Sequence, residues 1–241
     1  MVIVLLPLTV SVRGWVPAPV WGWAAPSENV SVSIDSQTKT TTADARGRWS
    51  LTLDKLEAGT QPRTLTVRGR STITIHDVLV GEVWLCSGQS NMEMRVKGGM
   101  HGQVDHADEE IAAAKYPAIR MFLFQRTYSI YDVPTSPDEP MADRAGEWIV
   151  CSPETVARFS AMAYFFGRDL HRELGTPIGL INSSVGGTPI EAWTSLEAQR
   201  AEPALSPVLE EWQQKLAGYD AESEQRKFLE AKTAWLKQRA G

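Results

Sequence analysis

The sequence of 241 residues is poor in several residue types and patterns, and each shortage excludes something. Two cysteines, Cys86 and Cys151, are too few for a disulfide scaffold or a cysteine-built zinc site. Cationic residues are outnumbered, 24 Lys and Arg against 29 Asp and Glu, for a net charge of −5, and they form no basic run. Nucleic-acid binding needs a concentrated cationic surface and is disfavoured. The apolar run Val2 to Val12, VIVLLPLTVSV, is too short to span a bilayer. No cation precedes it and no small-residue cleavage site follows, so it reads as a buried strand ahead of a signal peptide. What remains is ordinary for a globular protein: 43% apolar and 22% charged residues, in a chain long enough to bury a sizeable core without staples. Nine tryptophans against five tyrosines is unusual, and most of them are expected in the core.

Residues 15–79 read as a small antiparallel β domain. Val30, Val32 and Ile34 alternate with serines, and Trp49, Leu51 and Leu53 alternate with Ser50 and Thr52. Leu65, Val67, Ile73 and Ile75 continue the period of two, with turn signals between the runs. The character then changes. Val78 to Cys86 is a nearly continuous apolar run, as expected for one strand of a sheet buried on both faces. A helix is expected over 107–114 and a strand over 119–124. A second helix should start at Ser152-Pro153-Glu154, carry a buried stripe of Phe159, Ala163, Phe166, Leu170 and Leu174, and stop at Gly175. A short strand follows at 178–181. The segment from Tyr128 to Gly146, rich in Pro, Asp and Ser, reads as a surface loop. Residues 205–239 read as two amphipathic helices broken near Gly218, with stripes of Val208, Trp212, Leu216 and Tyr219 and of Phe228, Lys232 and Trp235. The expected division is 1–79 for the β domain and 80–241 for an α/β domain with a helical stretch at about 195–240.

Two segments carry candidate chemistry. Gly88-Gln89-Ser90-Asn91 follows the apolar run, and reactive groups in α/β sheets collect at strand carboxyl ends. A turn at Gly88 lifts Ser90 toward solvent, and a following helical turn aims backbone N–H groups at its side chain, as an oxyanion site requires. The hydrolase elbow G-x-S-x-G does not fit, because Met92 stands at the second glycine position. The second segment, Ser183-Ser184-Val185-Gly186-Gly187-Thr188-Pro189, also follows a short strand, and its glycines allow close backbone approach to a ligand. Each segment alone is equally readable as an ordinary turn.

Taken together, EVWLCSGQSNMEM and, about ninety residues later, INSSVGGTPIEAW resemble the sialate O-acetylesterase family, carbohydrate esterases of the SGNH, GDSL-like type. VPAPVWGWAAPSENVSVSI, GRWSLTLDKLEAG, WIVCSPETVARFSAMAYFFGRDL and GTPIGLINSS resemble further segments of that family, in its order, from about Arg13 onward. The resemblance implies a small N-terminal β-sandwich-like domain followed by an incomplete SGNH-hydrolase domain, a flavodoxin-like three-layer α/β/α fold. It implies Ser90 as nucleophile. The N–H of Ser90 and an N–H of the Gly186-Gly187 pair would form part of an oxyanion hole, and Gln89 and Asn91 would brace the turn. The implied substrate is an O-acetylated sugar, with no cofactor and no metal. Periplasmic or secreted localisation follows from the resemblance alone, and the oligomeric state is open.

Two parts of the family pattern are not in the sequence. There is no Q-G-E triplet, whose segment bears an Asn oxyanion donor. There is also no Asp-x-x-His: the residues three before His76, His101, His106 and His171 are Ile73, Gly98, Gln103 and Arg168. The expectation is therefore the N-terminal part of a longer esterase, with activity on its own reduced by about four to six orders of magnitude for want of the base. Two other readings stay open. One is a deacetylase of acetylated xylan or a similar polysaccharide. The other is a non-catalytic glycan-binding or structural fragment built around Trp15, Trp21, Trp23 and Trp49. A disulfide between Cys86 and Cys151 is the minor alternative to two buried thiols.

Overall fold

The structure, a computed structural model of the chain, describes residues 2–3, 18–99, 102–124 and 146–239. By compactness the chain divides into two units, Met1–Thr188 and Pro189–Gly241. The expectations for residues 4–17, His101 and the segment 128–145 lie outside the described residues.

Seven strands come first: β1 (Val2–Ile3), β2 (Ala18–Trp23), β3 (Asn29–Ile34), β4 (Gln37–Thr42), β5 (Arg48–Leu53), β6 (Gly59–Arg68) and β7 (Thr72–Val80). They form two antiparallel sheets, in the orders β1-β2-β5 and β4-β3-β6-β7. The period-two residues do what their spacing dictates. Val20, Trp49 and Leu53 from the first sheet and Val30, Val32, Ile34, Leu65 and Val67 from the second are buried in one cluster. Trp49 is 5% exposed and lies under Gly22, where a Cβ would stand 2.9 Å from its ring. Trp49 is therefore a core residue. Trp21 and Trp23 alternate with the buried Val20 and Gly22, half-buried and edge to face with centroids 5.3 Å apart.

The apolar run 78–86 is not one strand. Val78 to Val80 ends β7, paired with β6, and β8 (Glu82–Gly88) belongs to a different sheet. Gly81 marks the junction. A Cβ there would lie 2.0 Å from the Pro177 carbonyl oxygen, which also accepts the Glu82 N–H at 3.0 Å. The backbones approach so closely that only glycine fits. Hydrophobicity alone carries no signal for this exchange of partners.

The third sheet is mixed. After β8 come α1 (Ser90–Glu93), α2 (Ala107–Ala113), β9 (Tyr116–Phe124), β10 (Gly146–Cys151), α3 (Ala161–Leu174) and β11 (Ile178–Ser184). The strand order is β10-β9-β11-β8, with β11 parallel to both β8 and β9, and β10 antiparallel to β9. Ile119, Met121, Ile178 and Leu180 form a fully buried core with Val156, Phe159 and Tyr164. On the sheet face away from Leu180, Leu85 and Trp148 are 48% and 46% exposed.

α3 starts later than its sequence signals imply. Ser152, Pro153 and Glu154 make a turn instead, in which the Ser152 hydroxyl donates to the Glu154 carboxylate and the Thr155 hydroxyl to the Val150 carbonyl. The true N-cap is Ser160, whose Oγ accepts the Ala163 N–H at 3.2 Å. The Ala161 N–H donates to Met94 O at 2.8 Å, so a tertiary contact fixes the start. The expected stripe holds in part: Phe159 and Ala163 are buried and Leu170 packs against the core, but Ala161, Tyr164 and Gly167 also face inward and Phe166 is 42% exposed. Gly167 explains this, since a Cβ there would meet the Leu180 side chain at 2.6 Å. At Gly167 the helix lies too near the sheet for any side chain, whereas Tyr164 one turn earlier is fully buried. Gly175 ends it in the left-handed region, as expected. α2 is tied to α3 through Glu110, which accepts from the Tyr164 hydroxyl at 2.6 Å and from Arg168 at 2.7 Å. Burial alone would raise the Glu110 carboxyl, but these two bonds outweigh it and hold it below the usual carboxylate range.

The second unit contains α4 (Leu196–Ala201), α5 (Ser206–Ala217) and α6 (Ala221–Arg239), with the expected break at Gly218. Trp212, Leu216, Tyr219, Phe228 and Trp235 are all exposed. Among the described residues no helix is long and apolar enough to cross a membrane.

Gly81→Ala is expected to lower stability by about 2–4 kcal/mol, because backbone or strand must move. Gly59→Ala, with nothing within 4 Å of the new Cβ, is the control and should stay within about 1 kcal/mol. Urea unfolding followed by tryptophan fluorescence measures both.

Candidate active site

The two motif segments meet at the carboxyl ends of neighbouring parallel strands. β8 and β11 run in register from Glu82 opposite Ile178 to Gly88 opposite Ser184. One step beyond, the Val185 N–H donates to Gly88 O at 3.0 Å. Gly88 sits at φ 144°, a conformation an L side chain resists, and this reversal delivers Ser90 to the first position of α1. α1 is held from its other side too: Met94 O takes the Ala161 N–H, and the Ser160 hydroxyl reaches the Met92 sulfur at 3.6 Å.

Ser90 is half-buried. Its hydroxyl donates to Gln89 Oε1 at 3.3 Å, and the same oxygen lies 3.5 Å from the Ser90 N–H, both long contacts. Gln89 therefore sits over the turn, whereas Asn91 is exposed. Gly186 is half-buried and Gly187 exposed, the latter at φ 80°. The Gly186 N–H donates to the Glu93 carboxylate. Glu93 lies inside the first motif, where its spacing alone assigns it no role. A carboxylate three residues after the serine, opposite a glycine pair in the other motif, was the available signal.

Among the described residues, none of His76, His106 and His171 is in contact with Ser90. The His171 ring shares a hydrogen bond of 2.7 Å between Nδ1 and the Thr176 carbonyl. His106 is exposed at the head of α2, 3.7 Å from Glu109, and His76 is exposed on β7. Among the described residues no group of three or more His, Cys, Asp or Glu could hold a metal ion.

The cysteines are both free and buried. They stand on β8 and β10, with β11 and β9 between them. Three strand spacings amount to about 14 Å, too far for a disulfide, so that alternative is excluded. Burial pushes the Cys86 thiol up to about 11. Burial, and secondarily the Glu110 charge, pushes Cys151 up to about 12. Neither thiol is a nucleophile near neutrality.

The family described as "Carbohydrate esterase, sialic acid-specific acetylesterase" matches residues 80–223. This chain belongs to that family. The sialate O-acetylesterases of Rattus norvegicus and Homo sapiens are each 32% identical to it over 203 residues, covering 76% of this chain. The chain spans 35% and 36% of those relatives, about a third of their length. The crystal structure of a carbohydrate acetylesterase from Xanthomonas citri matches with a TM-score of 0.64 and 36% identity, over 78% of this chain and 40% of that one. The mixed α/β arrangement is thus a carbohydrate acetylesterase fold, and the family is one of hydrolases.

A thiol reagent such as Ellman's reagent at pH 8 is expected to react with neither cysteine in the folded chain and with both after unfolding.

Proposed function

We propose that this chain carries the nucleophile of a serine carbohydrate esterase that removes O-acetyl groups from sialic acids. The observation that carries the reading is the meeting of the Ser90 turn and the Gly186-Gly187 loop at the ends of β8 and β11. In the reaction, Ser90 Oγ adds to the acetyl carbonyl and its proton passes to a base. The carbonyl oxygen becomes an oxyanion that accepts backbone N–H groups from the Ser90 turn and the glycine loop. The sugar oxygen leaves with a proton, and water releases acetate from the acetyl-serine. No cofactor is needed for this sequence of steps. Gln89 holds the hydroxyl in the resting state. Asn91, exposed beside it, takes the bracing role only from the family resemblance.

The base and its orienter belong, in this reading, to an Asp-x-x-His segment in the part of the relatives that the 241 residues do not span. The architecture is read in the same way. Residues 1–79 form a β-sandwich-like domain, supported by the single core shared by its two sheets. Residues 80–241 form a three-layer α/β/α SGNH domain with one layer incomplete. The exposed Leu85 and Trp148, on the sheet face opposite α3, support the missing layer. Localisation in the periplasm or outside the cell goes with the substrate.

A second reading keeps the esterase and changes the substrate to acetylated xylan. A third makes the chain a non-catalytic glycan binder, for which the half-buried Trp21–Trp23 pair is the supporting feature. Sequencing past codon 241 is expected to find an open frame with a Q-G-E segment and a terminal Asp-x-x-His. The protein so encoded should release acetate from O-acetylated sialic acid faster than from acetyl-xylooligosaccharides, and Ser90→Ala should cut that rate by about four to six orders of magnitude. Preference for the xylooligosaccharides moves the substrate to the second reading. Glycan binding that survives Ser90→Ala and fails on Trp21→Ala, without turnover, moves the function to the third.

A further inference from the structure

The Gly186-Gly187 loop is tied to the serine turn at two consecutive amides. The Val185 N–H goes to Gly88 O, two residues before Ser90, and the Gly186 N–H goes to the Glu93 carboxylate, three residues after it. The serine thus lies between the two anchors of the loop. The anchors differ in kind. The first is a neutral backbone bond that continues the ladder. The second is charge-assisted, and bonds of that kind are the stronger. A backbone N–H carries one hydrogen, so the Gly186 N–H cannot serve an ester oxyanion while it serves Glu93. A carboxylate next to a developing oxyanion is also repulsive, so direct participation by Glu93 at that oxygen is unfavourable. The next amide in the loop is that of Gly187, whose φ of 80° turns the chain, and the Thr188 hydroxyl closes the turn on Val185 O at 2.7 Å.

We propose that Glu93 is a positioning residue. Its carboxylate takes the Gly186 N–H, fixes the glycine loop against the Ser90 turn, and leaves the Gly187 N–H as the donor the loop presents beside the nucleophile. The role in catalysis rests on the esterase reading above. The contact between Glu93 and Gly186 does not.

The test uses the chain labelled with [15N]glycine, as wild type, Glu93→Ala and Glu93→Gln, with hydrogen exchange read by NMR at Gly186, Gly187 and Gly179. Glu93→Ala is expected to speed exchange at Gly186 by about tenfold or more, since a charge-assisted bond is lost, and to shift the amide resonance of Gly187, whose unbonded N–H exchanges fast in every variant. Glu93→Gln keeps an acceptor and should restore most of the protection. Gly179, buried in the middle of β11, should stay within about twofold and reports that the sheet is intact. Unchanged exchange at Gly186 in Glu93→Ala overturns the proposal. So does a Gly187 amide resonance that keeps its chemical shift in Glu93→Ala, because the loop is then not held by Glu93. The same substitutions are made in the longer protein encoded past codon 241, where the proposed base is present, and acetylation of Ser90 by p-nitrophenyl acetate is followed by mass spectrometry. The rate is expected to fall about tenfold in Glu93→Ala and to recover in Glu93→Gln. A rate that does not move overturns the catalytic part of the role. A wild-type longer protein in which Ser90 takes up no acetyl group overturns the esterase reading and that part with it, while the exchange result stands on its own for the contact.

Discussion

The parallel ladder between β8 and β11 joins two stretches of chain about ninety residues apart, and the whole candidate site hangs from its last rung. Gly88 and Ser184 face each other there, and both strands then leave the sheet in turns that glycine makes possible. A shift of one residue in this register would send Ser90 and the glycine loop apart, because side chains alternate faces along a strand. The ladder is secured from outside itself. Gly81 lets the Pro177 carbonyl come close enough to take the Glu82 N–H at its start, and Gly167 lets α3 lie directly on Leu180 in its middle. Two close approaches, each needing the absence of a side chain, set the register that chemistry requires.

Much of this was legible in the sequence. The period-two runs gave β3, β5 and β6, and the Gly218 break separated α5 from α6. The paired motifs single out the Ser90 turn and the glycine loop, and the β8–β11 ladder makes these two segments neighbours. The misplaced features share one physical cause. Val78 to Cys86 reads as one strand because it is apolar at all but Gly81 and Glu82, yet the chain changes sheets at Gly81, where it meets Pro177 nearly a hundred residues away. Ser152-Pro153 has the form of a helix start, yet its hydroxyl groups bond within a local turn, and Ser160 takes the cap because Met94 holds the next amide. Phe166 has helical spacing from Phe159, yet the close approach to Leu180 falls at Gly167, and Tyr164 and Gly167 face inward while Phe166 is 42% exposed. Local pattern identifies the kind of element, and long-range backbone contact decides where it begins and which face it buries.

Glu93 illustrates the same limit at the site. Within its own turn it is an ordinary acidic residue on a short helix. Its meaning comes from a glycine amide ninety-odd residues downstream, which no spacing rule within either motif connects to it. Trp49 is the converse. In a sequence rich in tryptophan it invites a sugar-stacking reading, and the fold places it under Gly22 in the core.

The strand order has a consequence for synthesis of the protein. The strands of the first two sheets are complete by Val80, so their shared core can close soon after that stretch leaves the ribosome. β8 follows at once, but among the described residues it has β11 as its only ladder partner, and β11 begins at Ile178. At translation speeds of about 5–20 residues per second, β8 waits roughly 5–20 s with both edges unpaired. During that interval EVWLC is an apolar segment in search of a strand, and a neighbouring nascent chain on the same message carries an identical one. The yield of folded protein therefore depends on how well β8 is shielded while the next ninety residues are made.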